Sequence, residues 1–112
     1  MNLRGAVVRV RLDLTEGREQ AGTRPAIVVS ARVFNENMDV LMVAPITSKK
    51  VDRVFPFEAR VDYEALGLDL PSKAMMNQIH TVSKSRIVGF YGVADIETMR
   101  AVDTALKITL GL

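Results

Sequence analysis

A single change of period organises this chain. Up to about residue 93 the apolar residues come in short runs rich in valine and isoleucine, several of them alternating with polar neighbours. From Ile96 onward they recur at spacings of three and four. The first pattern suits strands with one or both faces buried, and the second suits one face of an amphipathic helix. The runs predict six strands, over residues 6–12, 25–30, 40–44, 54–61, 74–82 and 87–91. In the second, Ile27, Val28 and Val29 form the unbroken apolar stretch of a buried strand, and the third is expected to stop at Pro45. The fifth places Met76, Gln78 and His80 on one face and Met75, Asn77, Ile79 and Thr81 on the other. Residues 35–39 predict a turn and residues 66–71 an irregular connection. The helix is expected to start on Asp95 as its N-cap, carry Ile96, Met99, Val102, Ala105, Leu106 and Leu110 on its apolar face, and end at Gly111. Short strands closed by a terminal helix predict a mainly β fold, a small curved antiparallel β-barrel or sandwich with a C-terminal α-helix. At 112 residues the chain has the size of one domain, residues 1–112.

Several functions are excluded by what is missing. The chain has no cysteine, which removes disulfides and thiolate metal sites and makes a reducing compartment the natural setting. No apolar run approaches the ~20 residues of a membrane-spanning helix. The arginines spaced through the first residues do not resemble a secretory signal, so a cytoplasmic protein is expected. His80 is the only histidine, leaving no histidine pair for acid–base work and no multi-histidine metal site. There is no glycine-rich phosphate loop and no nucleophile elbow. The carboxylates are scattered, with no cluster suited to two divalent ions. An enzyme built from this chain is expected to need no metal and no cofactor. Aromatic residues make up only 5% and tryptophan is absent, so a base-stacking platform is poor. The net charge of +2 is a mild basic excess. It fits contact with a phosphate backbone and fits a solvated surface of mixed charge equally well.

Three loci could carry chemistry. Residues 13–24 form a long polar stretch ending in Arg24-Pro25 at the mouth of a buried strand. A guanidinium held there suits bidentate binding of a phosphate and of the charge that builds during phosphoryl transfer, although the residues alone favour an ordinary loop arginine paired with Glu19. The segment Thr47-Ser48-Lys49-Lys50 places two hydroxyls and two lysines just after a strand, where they could hold a phosphate and its flanking nucleotides or form a plain polar turn. The segment 77–86 carries Asn77, Gln78, His80 and Thr81 where apolar residues are expected, which points to an internal hydrogen-bond network or to a reading surface.

Taken together and in order, these residues resemble a known family. Arg4-Gly5, the block Glu19-Gln20-x-Gly22-x-Arg24-Pro25-x-Ile27-Val28, then Ala44-Pro45-Ile46-Thr47-Ser48, Phe57-Glu58, Gln78-Ile79-x-Thr81-Val82 and the ending Ala105-Leu106-Lys107-Ile108 are similar to MazF/PemK toxins of type II toxin–antitoxin systems. The resemblance runs from residue 4 to the end. It implies an SH3-like, PemK–CcdB-like barrel with a C-terminal helix, assembled as a homodimer. It also implies a metal-independent endoribonuclease, an mRNA interferase that cuts single-stranded RNA at a short motif. The substrate's 2′-hydroxyl would be the nucleophile, leaving a 2′,3′-cyclic phosphate and a 5′-hydroxyl and arresting translation and growth under stress. The implied partners are single-stranded RNA and a cognate MazE-like antitoxin, with no membrane. Arg24, Thr47 and Glu19 match the catalytic positions. Gln20, Ser48, Lys49, Lys50, Gln78 and His80 are the candidate RNA-binding residues.

Which group moves the proton stays open. A guanidinium is always protonated and makes an awkward base, while Glu19 is a conventional one. The chain departs from the family pattern at Ala6, where an acidic residue usually follows Arg-Gly, and at Leu14, where proline is common. His80 stands in place of an arginine, which touches base preference more than catalysis. Two other readings compete. A CcdB-like, non-enzymatic toxin would bind DNA gyrase through its C-terminal helix and would not need the Arg24/Thr47 pair. A barrel of the same kind could also merely bind RNA or a peptide.

Overall fold

The computed structural model describes residues 2–12 and 22–112. Its frame is antiparallel. β1 (Ala6–Leu12) pairs with β2 (Gly22–Val28) on one side and β7 (Ile87–Val93) on the other. β2 pairs with β3 (Val40–Thr47), which continues to β5 (Ser72–Met75) and then β4 (Glu58–Val61). β6 (His80–Ser83) also pairs with β3. Two helices complete the fold: α1 (Arg32–Asn37) and α2 (Ile96–Leu110). The mainly β fold and the terminal helix expected from the pattern are both present, with seven strands among the described residues in place of six.

The additional strand comes from a break. The run expected as one strand over 74–82 is divided by a single 3₁₀ turn at Met76–Gln78. On β3, Ile46 lies opposite Ala74 and Val43 opposite His80, so three steps along β3 match six along its neighbour. The extra residues form the turn, and strand alternation does not hold across it. Pro45 sits on β3 within this gap. Because it has no N–H to donate, β3 can run through it to Thr47 where the neighbouring strand is interrupted. The sequence predicted a stop at that proline. The expected strand over 54–61 is also shorter, because the chain turns at Pro56 and pairs only from Glu58, whose N–H bonds to the Phe55 carbonyl at 2.9 Å.

β1, β2 and β3 bury apolar residues on both faces, and their continuous apolar runs are explained by this. Val7, Ile27, Ala44 and Ile46 point to a core that includes Val102 and Ala105 of α2. Ala6, Val8, Val10, Ala26, Val28, Leu41 and Val43 point to a second core on the other face. α2 is capped as expected: the Asp95 side chain accepts from the Thr98 N–H at 2.8 Å, and Gly111 closes the helix at φ 72°, a conformation that glycine adopts without strain. Gly5, at φ 96°, lets the backbone pass beside Met99, whose sulfur would lie 3.1 Å from an added Cβ. Arg4 ties the same corner to α2 with a 2.7 Å ion pair to Asp103.

The segment read as a turn at 35–39 begins as the end of α1, which runs to Asn37, and only Met38 and Asp39 bend; Asn35 is completely buried. Asn35 accepts from the Ser30 hydroxyl and donates to the carbonyls of Asn2 and Ser30 at 2.9 and 3.0 Å. Lys84 donates to the Asn35 carbonyl. The network satisfies a polar group that would otherwise cost a few kcal/mol in the interior.

Candidate active site

The ladder between β2 and β3 ends at the pair Ala26 and Pro45. Beyond it β2 stays with β1 and β3 passes to β5, so the two strands part. Pro25, whose place in the alternation faces β3, has no N–H with which the ladder could continue. A cleft of about 570 Å³ opens at the separation. Arg9 and Tyr91 line it from β1 and β7, Thr23 and Arg24 from β2, and Thr47, Ser48 and Lys49 from the end of β3 and the loop that follows; residues 67–70 and Ser72 form the remaining wall.

Arg24 lies on β2, not in the preceding loop where the sequence placed it; its backbone pairs with Val10 of β1. Alternation puts Arg24 on the face of β2 that carries Ala26 and Thr47 on the face of β3 that carries Pro45, and both line the cleft. Arg24 is exposed and forms no ion pair with any other described residue. Thr47 is half-buried, and its hydroxyl accepts from the Lys49 N–H at 3.1 Å. That bond orients the oxygen and leaves the hydroxyl hydrogen free to donate into the cleft. Among the described residues, Arg9, Arg24 and Lys49 face a single lining carboxylate, Asp69, a balance that favours an anion.

The candidate residues from the sequence divide into three groups. Arg24, Thr47, Ser48 and Lys49 come together here. Lys50 lies next to them in a shallow hollow shared with Asp52 and Arg53. Gln78 is exposed in the 3₁₀ turn, where its amide lies 3.7 Å from the Met75 sulfur, and His80 is exposed at the start of β6 with Nδ1 3.1 Å from the Gln78 carbonyl. Neither lines the cleft. Glu19 and Gln20 lie outside the described residues, as do Leu14 and the rest of the expected loop up to position 21.

Two features escaped the sequence reading. Arg9 stands over the Tyr91 ring, 5.4 Å from its centroid, and its Nε donates to the Tyr91 hydroxyl at 3.3 Å. Alternation along β1 was the available signal, since it leaves Arg9 as the polar residue between Val8 and Val10. The second is Lys73, only 3% exposed, whose ammonium bonds at 2.9 Å to Glu58 and to the carbonyls of Lys50 and Arg53. Burial pushes the Glu58 carboxyl up, but the Phe55 N–H and the Lys73 charge outweigh it and hold the group below its usual range. Among the described residues no three metal-ligating side chains gather, and no helix is long and apolar enough to cross a membrane.

Residues 3–110 match the model of the PemK-like, MazF-like toxins of type II toxin–antitoxin systems. The chain belongs to this family. It is 32% identical over 109 residues to endoribonuclease EndoA of Bacillus subtilis, an alignment covering 97% of this chain and 94% of the relative. It is likewise 32% identical over 117 residues to endoribonuclease MazF9 of Mycobacterium tuberculosis, covering all of this chain and 98% of that one. Its fold matches a mycobacterial endoribonuclease solved with its cognate antitoxin, with a TM-score of 0.80, 25% identity and coverage of 98% of this chain and 95% of that one. The MazF of a MazE–MazF structure from Deinococcus radiodurans shares the fold, with a TM-score of 0.81 at 22% identity, covering 98% and 96% of the two chains. The family resemblance carried by the motifs therefore holds along almost the whole toxin. The match favours an RNA-cutting toxin over the gyrase-binding alternative.

Proposed function

We propose that this toxin is an endoribonuclease whose active site is the cleft between β2 and β3, with Arg24 and Thr47 acting on a phosphodiester of single-stranded RNA. One observation carries the assignment: the two parted strands present both residues to one cationic cleft. The family match and the two endoribonuclease relatives support the activity.

The reaction that fits is an internal transesterification. The 2′-oxygen attacks phosphorus, the bond from phosphorus to the 5′-oxygen breaks, and the products are a 2′,3′-cyclic phosphate and a 5′-hydroxyl. The proton lost by the 2′-hydroxyl and the one gained by the 5′-oxygen balance. Thr47 donates a hydrogen bond to a phosphate oxygen. Arg24 takes the charge that grows on the phosphorane, which a fork of fixed N–H donors does well. Ser48, Lys49 and Lys50 hold the flanking backbone. Glu19 is the conventional base for the 2′-proton, with Gln20 beside it in sequence; Gln78 and His80 contact RNA beyond the cleft. DNA lacks the nucleophile and is not cut. No step calls for a metal.

The toxin works in the cytoplasm as a homodimer and is inhibited by a MazE-like antitoxin. The antitoxin-bound mycobacterial neighbour supports that partnership. Exposed Val88, Phe90 and Val93 along β7, the end strand of the sheet order, support self-association.

The test is cleavage of a long single-stranded RNA in EDTA, with the new ends mapped. The wild type is expected to cut and to leave 5′-hydroxyl ends. Arg24→Ala and Thr47→Ala are each expected to lose at least about a hundredfold in rate, the usual effect of deleting a donor to a developing oxyanion. An inactive wild type would remove the nuclease assignment, and two fully active variants would move the active site elsewhere.

A further inference from the structure

Lys73 is opposite Thr47 in the β3–β5 ladder, and its side chain reaches the loop that follows Thr47. Its ammonium takes the carbonyls of Lys50 and Arg53, each at 2.9 Å, and the carboxylate of Glu58, also at 2.9 Å. Three partners match the three N–H bonds of an ammonium. Both charged side chains are almost wholly buried, at 4% and 7% exposure. The Phe55 ring lies 5.9 Å from the ammonium, and the Phe55 N–H donates to Glu58 at 3.0 Å. Lys50, held by this grip, has φ 54°, a conformation that costs a non-glycine residue energy and persists only where its surroundings enforce it.

A buried ion pair is a poor source of stability, since desolvation takes back most of the attraction. What this one does is geometric. It draws two carbonyls of the loop inward, and that loop begins with the Lys49 N–H that orients the Thr47 hydroxyl. We infer that Lys73, neutralised by Glu58, is a positioning residue that sets the Thr47 hydroxyl for the reaction. The inference rests on the active-site reading above. Lys73 touches neither the substrate nor the reacting atoms.

The test compares kcat and KM on the RNA that the toxin is found to cut. Lys73→Met is combined with Glu58→Gln, so that no uncompensated charge is buried and the Phe55 N–H keeps an acceptor. The expected result is a cooperative melt, KM within about threefold of wild type, and kcat lower by roughly tenfold to a hundredfold, as for a small misplacement of a reacting group. Placed on Thr47→Ala, the same pair of changes is expected to cost nothing further, because its effect passes through the group already removed. A folded double variant with kcat within about twofold of wild type would overturn the inference. So would a loss confined to KM, or a full additional loss on the Thr47→Ala background. Should the double variant not fold, amide exchange in the wild type decides: the N–H groups of Lys49 and Arg53 are expected to be protected at least about tenfold over free peptide, and unprotected amides would refute the grip. If Thr47→Ala itself stays active, the active-site reading has failed; if it is inactive while the double variant is fully active, only the inference about Lys73 has.

Discussion

In the proposed site Arg24 and Thr47 have different work and different atoms to do it with, and substitutions should separate them. Lysine at position 24 keeps the charge and loses the planar fork. Arg24→Lys is therefore expected to retain RNA binding within a few fold while cleavage falls at least about tenfold, measured as single-turnover rates beside filter-binding affinities. Sequence spacing could locate both residues but could not bring them together, because the parting of β2 and β3 is a long-range event. Asn35 shows the same limit in a structural role. Its Asn-x-Asn surroundings read as a turn, whereas its partners, Ser30, Asn2 and Lys84, come from three separate segments. Removing its side chain strands the groups of Ser30 and Asn2, while the Lys84 bond to its backbone carbonyl stays. Asn35→Ala is expected to cost about 1–3 kcal/mol, read from the urea midpoint, with little change in kcat.

Among the elements, α2 was the most legible, because capping and periodicity are local. Asp95, Ile96 and Gly111 stand where the pattern put them. The strand broken at Met76–Gln78 was not legible, since nothing near it announces that β3 offers fewer partners than its neighbour has residues. Asp95 also carries a pH signature. Hydrogen bonds from the Thr98 backbone N–H and side chain hold its carboxyl below the ordinary 3.8, against a small opposing effect of burial. A folded-state value below the unfolded one means that the carboxylate stabilises the protein above 3.8, and that this is lost as the pH falls through the lower folded value. Asp95→Ala is expected to lower the melting temperature at pH 7 and to flatten its fall in acid, as thermal melts over a pH series would show. A variant that melts like wild type at pH 7 would contradict the cap.

Across the whole molecule, one sheet serves two cores, and adjacent residues of β2 belong to different ones: Ile27 to the core under α2, Val28 to the other. Neither core can come apart without disturbing β1, β2 and β3. Urea unfolding is therefore expected to be a single transition, with Ile27→Ala shifting it by about 2–5 kcal/mol and leaving it single. The cations are few. If Arg9, Arg24 and Lys49 are the groups that meet phosphates, log affinity against log salt should have a slope of about −2 per cleft, since each phosphate contact on a single strand contributes about −0.7. A slope beyond about −5 would mean that cations outside the cleft dominate. The net charge of +2 gave no warning that, among the described residues, three cations would gather around one carboxylate, because charge balance says nothing of where the fold puts its charges.

Pro25 gives the cleft one more property. An opening made by moving a flap must be opened again for each substrate, and the ligand's affinity is reduced by the rarity of the open form. Here the ladder stops where the Pro25 ring nitrogen has no hydrogen to give β3, a matter of covalent structure that no thermal fluctuation repairs. If this cleft is the active site, as proposed, it is open before RNA arrives. Encounter with RNA is therefore expected to follow simple second-order kinetics, with an observed rate that climbs in proportion to RNA concentration and never levels off at the speed of a gate.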